Sequence, residues 1–478
     1  FATRPPAAYA ATINVVAGEV AISANGQCSL REAIVNANAD AATHTDCAAG
    51  SGADTINLAA GTYNIGDSVG AYLYGNYGTP PVTSVITIEG NGATINRSAG
   101  SLRLFLVTDS GNLTLNDLSL TNGAMNSDRG GGAVHNNLST LTLNDVSLSG
   151  NSGTGSSFGG GAISAEGGTT TVNSSTFSGN QGGGGGAIAV NNGGVLTVTD
   201  SIFSSNTAAG NTGGAIRGTY TGSNIITVIG STLNGNSANS GGAIGLGAGT
   251  LTVTNSTISG NTAQANGGGI DGANSTVTLN NVTITGNTAG AGGGGNGGGI
   301  YSNTTINFNR SIVSGNNGPN YDAGYEVAGN GSENANNYNV FGRDGINNAR
   351  AFAYSFTPGA NDVNATDDGT NTPLASILNA TLAANGGPTS THALVAGSPA
   401  VDRAPSADCT AAPISGVDQR GYPRNVDGNA AASASECDAG AYEYLSSPPP
   451  TTGTVVIVKD ADPADDTGFS FTENIENT

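Results

Sequence analysis

Gly182-Gly183-Gly184-Gly185-Gly186-Ala187-Ile188, followed by Leu196-Thr197-Val198-Thr199 and then by Ser204-Ser205-Asn206, is a phrase that recurs along the chain. A glycine run closes on an aliphatic residue at Val134, Ile163, Ile188, Ile216, Ile244, Ile270 and Ile300. An asparagine follows at Asn151, Asn180, Asn206, Asn236, Asn261, Asn287 and Asn316. Read from those numbers, successive marks lie 25 to 30 residues apart, the period of a solenoid or an array. Between the marks, apolar residues alternate with β-branched polar ones at period 2, with no sustained period of 3.6, so these segments read as strands.

One such unit is too short to bury a sheet face alone. Stacking like residue over like residue removes the difficulty, because each coil then covers the apolar face of the next. The expected fold is all-β, a parallel β-helix. Val134 through Ile300 form one aliphatic ladder inside it, and Leu143, Val172, Val198, Val228, Val253, Leu279 and Phe308 form a second. The recurring asparagines suit left-handed turn backbone, and in register they bond one another as stacked amides do.

Composition narrows the class further. With 77 glycines, no tryptophan and charged residues at 10%, the surface is coated in Gly, Asn, Ser and Thr, as in extracellular β architectures. A formal net charge of -21 argues against nucleic acid and against anionic membrane surfaces. No apolar run approaches the roughly 20 residues that cross a bilayer, so membrane insertion is not expected. The four cysteines fall into two close pairs, Cys28 with Cys47 and Cys409 with Cys437, which suggests two disulfides and an oxidising compartment.

The one convincing amphipathic helix is at residues 29–39, where Leu30, Ala33, Ile34 and Ala37 share a face. A helix there caps the open end of the stack, which would otherwise expose apolar interior and unpaired strand edges.

Cys28-Ser29-Leu30-Arg31-Glu32-Ala33-Ile34 spells the signature of CSLREA-domain proteins, and Asp54-Thr55-Ile56-Asn57-Leu58 resembles their first coil. The glycine-run and asparagine phrases resemble the repeats of bacterial polymorphic outer-membrane proteins. Four later stretches are similar to the C-terminal end of choice-of-anchor-type bacterial surface proteins: Asn385-Gly386-Gly387-Pro388-Thr389, Gly397-Ser398-Pro399-Ala400-Val401-Asp402, Asp418-Gln419-Arg420-Gly421, and Cys437-Asp438-Ala439-Gly440-Ala441-Tyr442-Glu443. Together these resemblances imply a secreted, right-handed parallel β-helix at the cell surface. The expected organisation is a cap over residues 1–53, the β-helix over 54–357, its C-terminal part and cap over 358–445, a proline-rich linker over 446–453 and a β tail over 454–478. The tail resembles the opening of prealbumin-like or collagen-adhesin-B-like stalk domains, in which a first-strand lysine such as Lys459 can form an isopeptide bond.

Candidates for chemistry are few. Hydrolysis of a glycan needs two carboxylates across a bond. The repeats offer Asp117, Asp145 and Asp200 at equivalent points, expected to line one face singly, besides Asp128, Glu166 and Asp271 with Arg129, Arg217 and Arg310. His44, His135 and His392 sit in separate segments without zinc spacing. No catalytic residue is assigned.

Two acidic loops suit calcium, the one cofactor considered. They are Asp362, Asn364, Asp367 and Asp368, and Asp460, Asp462, Asp465 and Asp466. Tyr72, Tyr74 and Tyr77 form an aromatic loop able to stack on sugars or fill a partner's pocket. Val455, Ile457, Lys459, Phe469 and Phe471 mark the tail strands as a surface for strand addition.

The functional expectation is a non-enzymatic extracellular structural or adhesive protein that self-assembles head to tail through its C-terminal tail, its partner a further copy of itself. The alternative is an anchored monomeric adhesin, or a β-helix that binds or cleaves carbohydrate on a cell surface.

Overall fold

The computed structural model describes residues 10–72, 75–126, 129–155, 158–318, 324–353, 356–424 and 436–445. They form a parallel β-solenoid of about 10 turns. A typical coil runs through Ile188–Asn191, Val195–Thr199, Ile202–Ser204 and Thr207–Ala208, and each of these strands pairs in parallel with its counterpart one coil on.

Both expected ladders are present residue for residue. Val134, Ile163, Ile188, Ile216, Ile244, Ile270 and Ile300 stand in register and are fully buried. Leu143, Val172, Val198, Val228, Val253, Leu279 and Phe308 do the same. The glycine runs exist because coils approach backbone to backbone beside the first ladder. A Cβ at Gly186 would overlap the Gly214 carbonyl of the next coil, and Gly214, Gly242 and Gly268 repeat the relationship upward.

The asparagines form a buried ladder. The Asn151 amide donates to Asn180 Oδ1 at 3.0 Å, Asn180 to Asn206 at 2.9 Å, Asn206 to Asn236 at 2.9 Å and Asn236 to Asn261 at 2.9 Å. Asn261 to Asn287 at 2.8 Å and Asn287 to Asn316 at 2.9 Å continue it. Each amide also donates to a backbone carbonyl of the coil below, such as that of Leu148 from Asn180, so burial leaves no donor of these side chains unsatisfied.

The long sheet turns a corner once per coil through a single residue of left-handed backbone. The column runs Asp117 (φ 46), Asp145 (φ 55), Ser174 (φ 47), Asp200 (φ 48), Gly230 (φ 59), Asn255 (φ 45), Asn281 (φ 51) and Arg310 (φ 48). Glycine, asparagine and aspartate tolerate that region best, which accounts for six of the eight.

At the N-terminal end the helix Leu30–Ala39 covers the stack, with Leu30, Ala33, Ile34 and Ala37 buried. The signature residues have separate jobs there. Ser29 caps the helix through a reciprocal capping box with Glu32, whose other oxygen accepts from the Ser23 N–H at 2.9 Å. Buried Arg31 donates to the Gly78 carbonyl at 2.7 Å and to both Asp67 oxygens. The bridge Cys28–Cys47 ties the cap to the following loop.

The C-terminal part departs from expectation. Of the stretch expected to complete the β-helix, Val363–Asn364 joins the stack, beside Val340–Phe341. Phe308, Phe341 and Phe356 close the interior with edge-on ring contacts at 5.0 to 5.7 Å, and the Phe352 ring lies 5.2 Å from that of Phe356. The chain then doubles back along the outside of the coils as a strap. Thr389 donates to the Gly230 carbonyl at 2.7 Å, Asn281 to the Asp438 carbonyl at 3.0 Å, and the Gly440 N–H to the Arg310 carbonyl at 2.8 Å. The strap has no repeat of its own, because each of its segments meets the coils through different residues.

Candidate functional site

The left-handed corner is exposed at Asp117, Asp145 and Ser174, half-buried at Asp200, and buried from Gly230 onward, where the strap lies on it. Asp117 and Asp145 occupy this corner in successive coils, one carboxylate to a coil.

Strap and solenoid are joined by polar side chains in and beside the C-terminal motifs. Gln419 donates to Thr232 Oγ1 at 2.9 Å and accepts from Thr257 Oγ1 at 2.7 Å, spanning two coils. Arg424, fully buried, donates to Asn255 Oδ1 at 3.0 Å and to the carbonyls of Val417 and Gly440 at 3.0 and 2.8 Å, and lies 3.3 Å from Glu443 Oε2. Burial and the neighbouring Asp438 push the Glu443 carboxyl up, against the pull of Arg424. Burial pushes Asp438 up as well. Gly440 lies so close to Thr283 and Ile312 that a Cβ there would require one of these side chains or the strap to shift. The bridge Cys409–Cys437 holds its two limbs together.

Where the strap first meets the corner, a cleft of about 500 Å³ opens. Asp200, Ile229 and Asn255 form its solenoid side, and Pro388, Pro413 and Val417 its strap side. Arg420 at its base is committed: its Nε donates to Asp418 Oδ2 at 2.8 Å and its guanidinium lies 3.5 Å over the Tyr442 ring. The Asp200 carboxylate lies against Gly230, where a Cβ would overlap it. Burial raises its pKa, and no hydrogen bond or charge offsets the effect.

A second polar group lies on the outer face of the nine-stranded sheet. Arg129 pairs with Glu166, and His135 Nε2 stands 3.8 Å from Glu166 Oε2. Burial, with Arg103 and Arg129 nearby, holds His135 well below its usual range, so it is neutral. Further along, Asp271 is pushed up to about 7 by burial.

The first calcium loop is a set of backbone acceptors. Asp362 takes the N–H groups of Asn336, Asn339 and Gly359 at 2.6 to 2.9 Å, Asp367 that of Gly345 at 2.8 Å, and Asp368 that of Asn348 at 2.8 Å. Asn364 bonds Asn348 and Thr366. Among the described residues these carboxylates do not gather into a group able to hold a metal ion. Tyr77 folds over Gly70 within the hairpin Gly70–Tyr72 and Gly75–Tyr77. Tyr74, the second calcium loop and the tail residues Val455, Ile457, Lys459, Phe469 and Phe471 lie outside the described residues.

Sequence reasoning placed Asp200 at a point equivalent to Asp117 and Asp145, and missed both the left-handed corner there and the strap that builds the cleft over it. Compared with known proteins, the chain matches no family model, no curated protein and no solved structure at a significant level.

Proposed function

We propose that the chain is a non-enzymatic, extracellular structural and adhesive surface protein: a rod whose coils present one flank to partners and whose strap braces the other. The observation that carries this reading is the use made of the charged side chains. Arg31, Arg129, Arg420 and Arg424 each hold a carboxylate of the same chain; the first pair fastens the cap helix to Asp67 outside it, and the last two knit the strap to itself. The two disulfides point to a non-cytoplasmic protein, and surface display is the compartment that fits a braced rod. Both ends of the apolar interior are covered, by the helix Leu30–Ala39 and by the phenylalanine cluster. Head-to-tail assembly then runs through strand addition by the tail.

Electron microscopy of the full chain beside a chain ending at Tyr444 tests this. Fibres that vanish on removal of the tail support the polymer. Single rods in both preparations remove self-assembly and leave an anchored monomer. Release of reducing ends from a polysaccharide incubated with the protein would overturn the non-enzymatic reading.

A further inference from the structure

The cleft at Asp200 contains two carboxylates, those of Asp200 and Asp418, and one guanidinium, that of Arg420. Arg420 is bonded to Asp418 and to the Glu443 carbonyl and is stacked on Tyr442, so its charge is spent. The negative charge left over is that of Asp200, whose carboxylate has no hydrogen-bonding or ionic partner among the described residues.

The rest of the lining is suited to something other than charge. Ile229, Pro388, Pro413 and Val417 offer apolar surface, and Val417 is 37% exposed although it faces the cleft. The remaining amides are occupied. Asn255 donates to the Val417 carbonyl and accepts from Arg424, and Gln419 is bonded to Thr232 and Thr257. A sugar, whose hydroxyls point in several directions, finds one free charged acceptor here, beside the hydroxyls of Thr199 and Ser415. A long side chain with an apolar stem and a cationic head finds a wall for the stem and a partner for the head.

We propose that this cleft is a docking site for a basic side chain, an arginine or a lysine presented by a partner protein. About 500 Å³ admits one such side chain with its flanking backbone. A net charge of -21 draws cationic partners toward the molecule before contact. The assignment holds in any compartment, so its failure leaves the surface-protein reading untouched.

The test uses the full chain and three probes: acetylated Gly-Gly-Arg-Gly-Gly amide, the same peptide with citrulline in place of arginine, and maltotriose. Citrulline keeps the shape and removes the charge. Binding is read by saturation-transfer NMR titration. The arginine peptide is expected to bind, the citrulline peptide at least about tenfold more weakly. Asp200→Asn is expected to weaken the arginine peptide by a similar factor. Asparagine already occupies this corner at Asn255 and Asn281, so that variant keeps the backbone. Pro388→Lys, which places a cation at the mouth, is expected to compete in the same way. The proposal is overturned by equal binding of the two peptides, by undiminished binding to Asp200→Asn, by absence of binding, or by a preference for maltotriose.

Discussion

The Asn316 side-chain amide donates to Glu326 Oε2 at 2.7 Å, so a ladder of amides ends on a carboxylate. Each asparagine below offers its N–H and its amide to the Oδ1 of the next. The last has no successor in its column. A carboxyl group is the natural terminator, since in its ionised form it accepts only, and Glu326 takes the N–H groups of Gly315 and Asn316 besides the amide. Glu326→Leu strips three donors of their acceptor and is expected to cost about 3 kcal/mol or more, at ~1–3 kcal/mol for each buried orphan. Glu326→Gln keeps one acceptor oxygen and is expected to fall between. Urea unfolding ranks the three proteins, and equal stability of the Glu326→Leu variant and the wild type would remove the terminator role.

The strap should detach before the coils do. Arg424→Met leaves Glu443 and several carbonyls buried without their donor, and breaking a buried pair costs about 3–5 kcal/mol. Hydrogen exchange is expected to quicken in the strap limbs around Gln419 and Ala439 while the ladder amides at Asn206 and Asn236 keep their protection. Uniform loss of protection would mean that strap and coils unfold as one unit.

Stability should fall as pH rises toward neutrality. Burial pushes Asp271 and Glu326 up to about 7 each, above the ordinary carboxyl range. At these two sites the folded chain keeps protons that the unfolded chain has released, so their contribution to stability is full at low pH and is lost as pH rises to about 7. Asp271→Asn removes one of these groups. Thermal melting between pH 5 and pH 8 is expected to show a smaller decline for the variant, and parallel curves would exclude Asp271 as a contributor.

Ser29→Ala should weaken the N-terminal cap specifically. It removes the side-chain acceptor for the Glu32 N–H, at 3.2 Å, a loss of about 1 kcal/mol for a capping residue. Ser29→Asp retains an acceptor and is expected to recover most of the loss. Circular dichroism melts compare the two variants, and indistinguishable Ala and Asp proteins would mean that the hydroxyl is not what caps this helix.

The coils were legible in the sequence because register demands repetition. Ile163 must lie under Ile188, and Asn180 under Asn206, so each constraint is written once per coil. The cap was legible through its periodic face and its signature. The strap was not, although its motifs stood out. Gln419 matters because it meets Thr232 and Thr257, and nothing in the local sequence at either place announces the other. Glu326 escaped notice for the same reason, since a terminator occurs once. The first acidic loop reads two ways in sequence, because carboxylates that suit a hard cation suit backbone N–H groups equally well, as Asp362 illustrates.

A repeat protein ordinarily gains or sheds units with little penalty, since each touches only its neighbours. The strap removes that freedom over part of this molecule. It grips Gly230, Asn255, Asn281 and Arg310, four corners in succession, with bonds from fixed points on its own sequence. Insert one coil among them and every grip beyond the insertion is displaced by a strand spacing. The strap is thus a ruler that fixes the count of coils beneath it, whereas among the described residues the coils between Asp117 and Asp200 carry no such gauge. Natural variation in rod length should be found in that ungauged stretch.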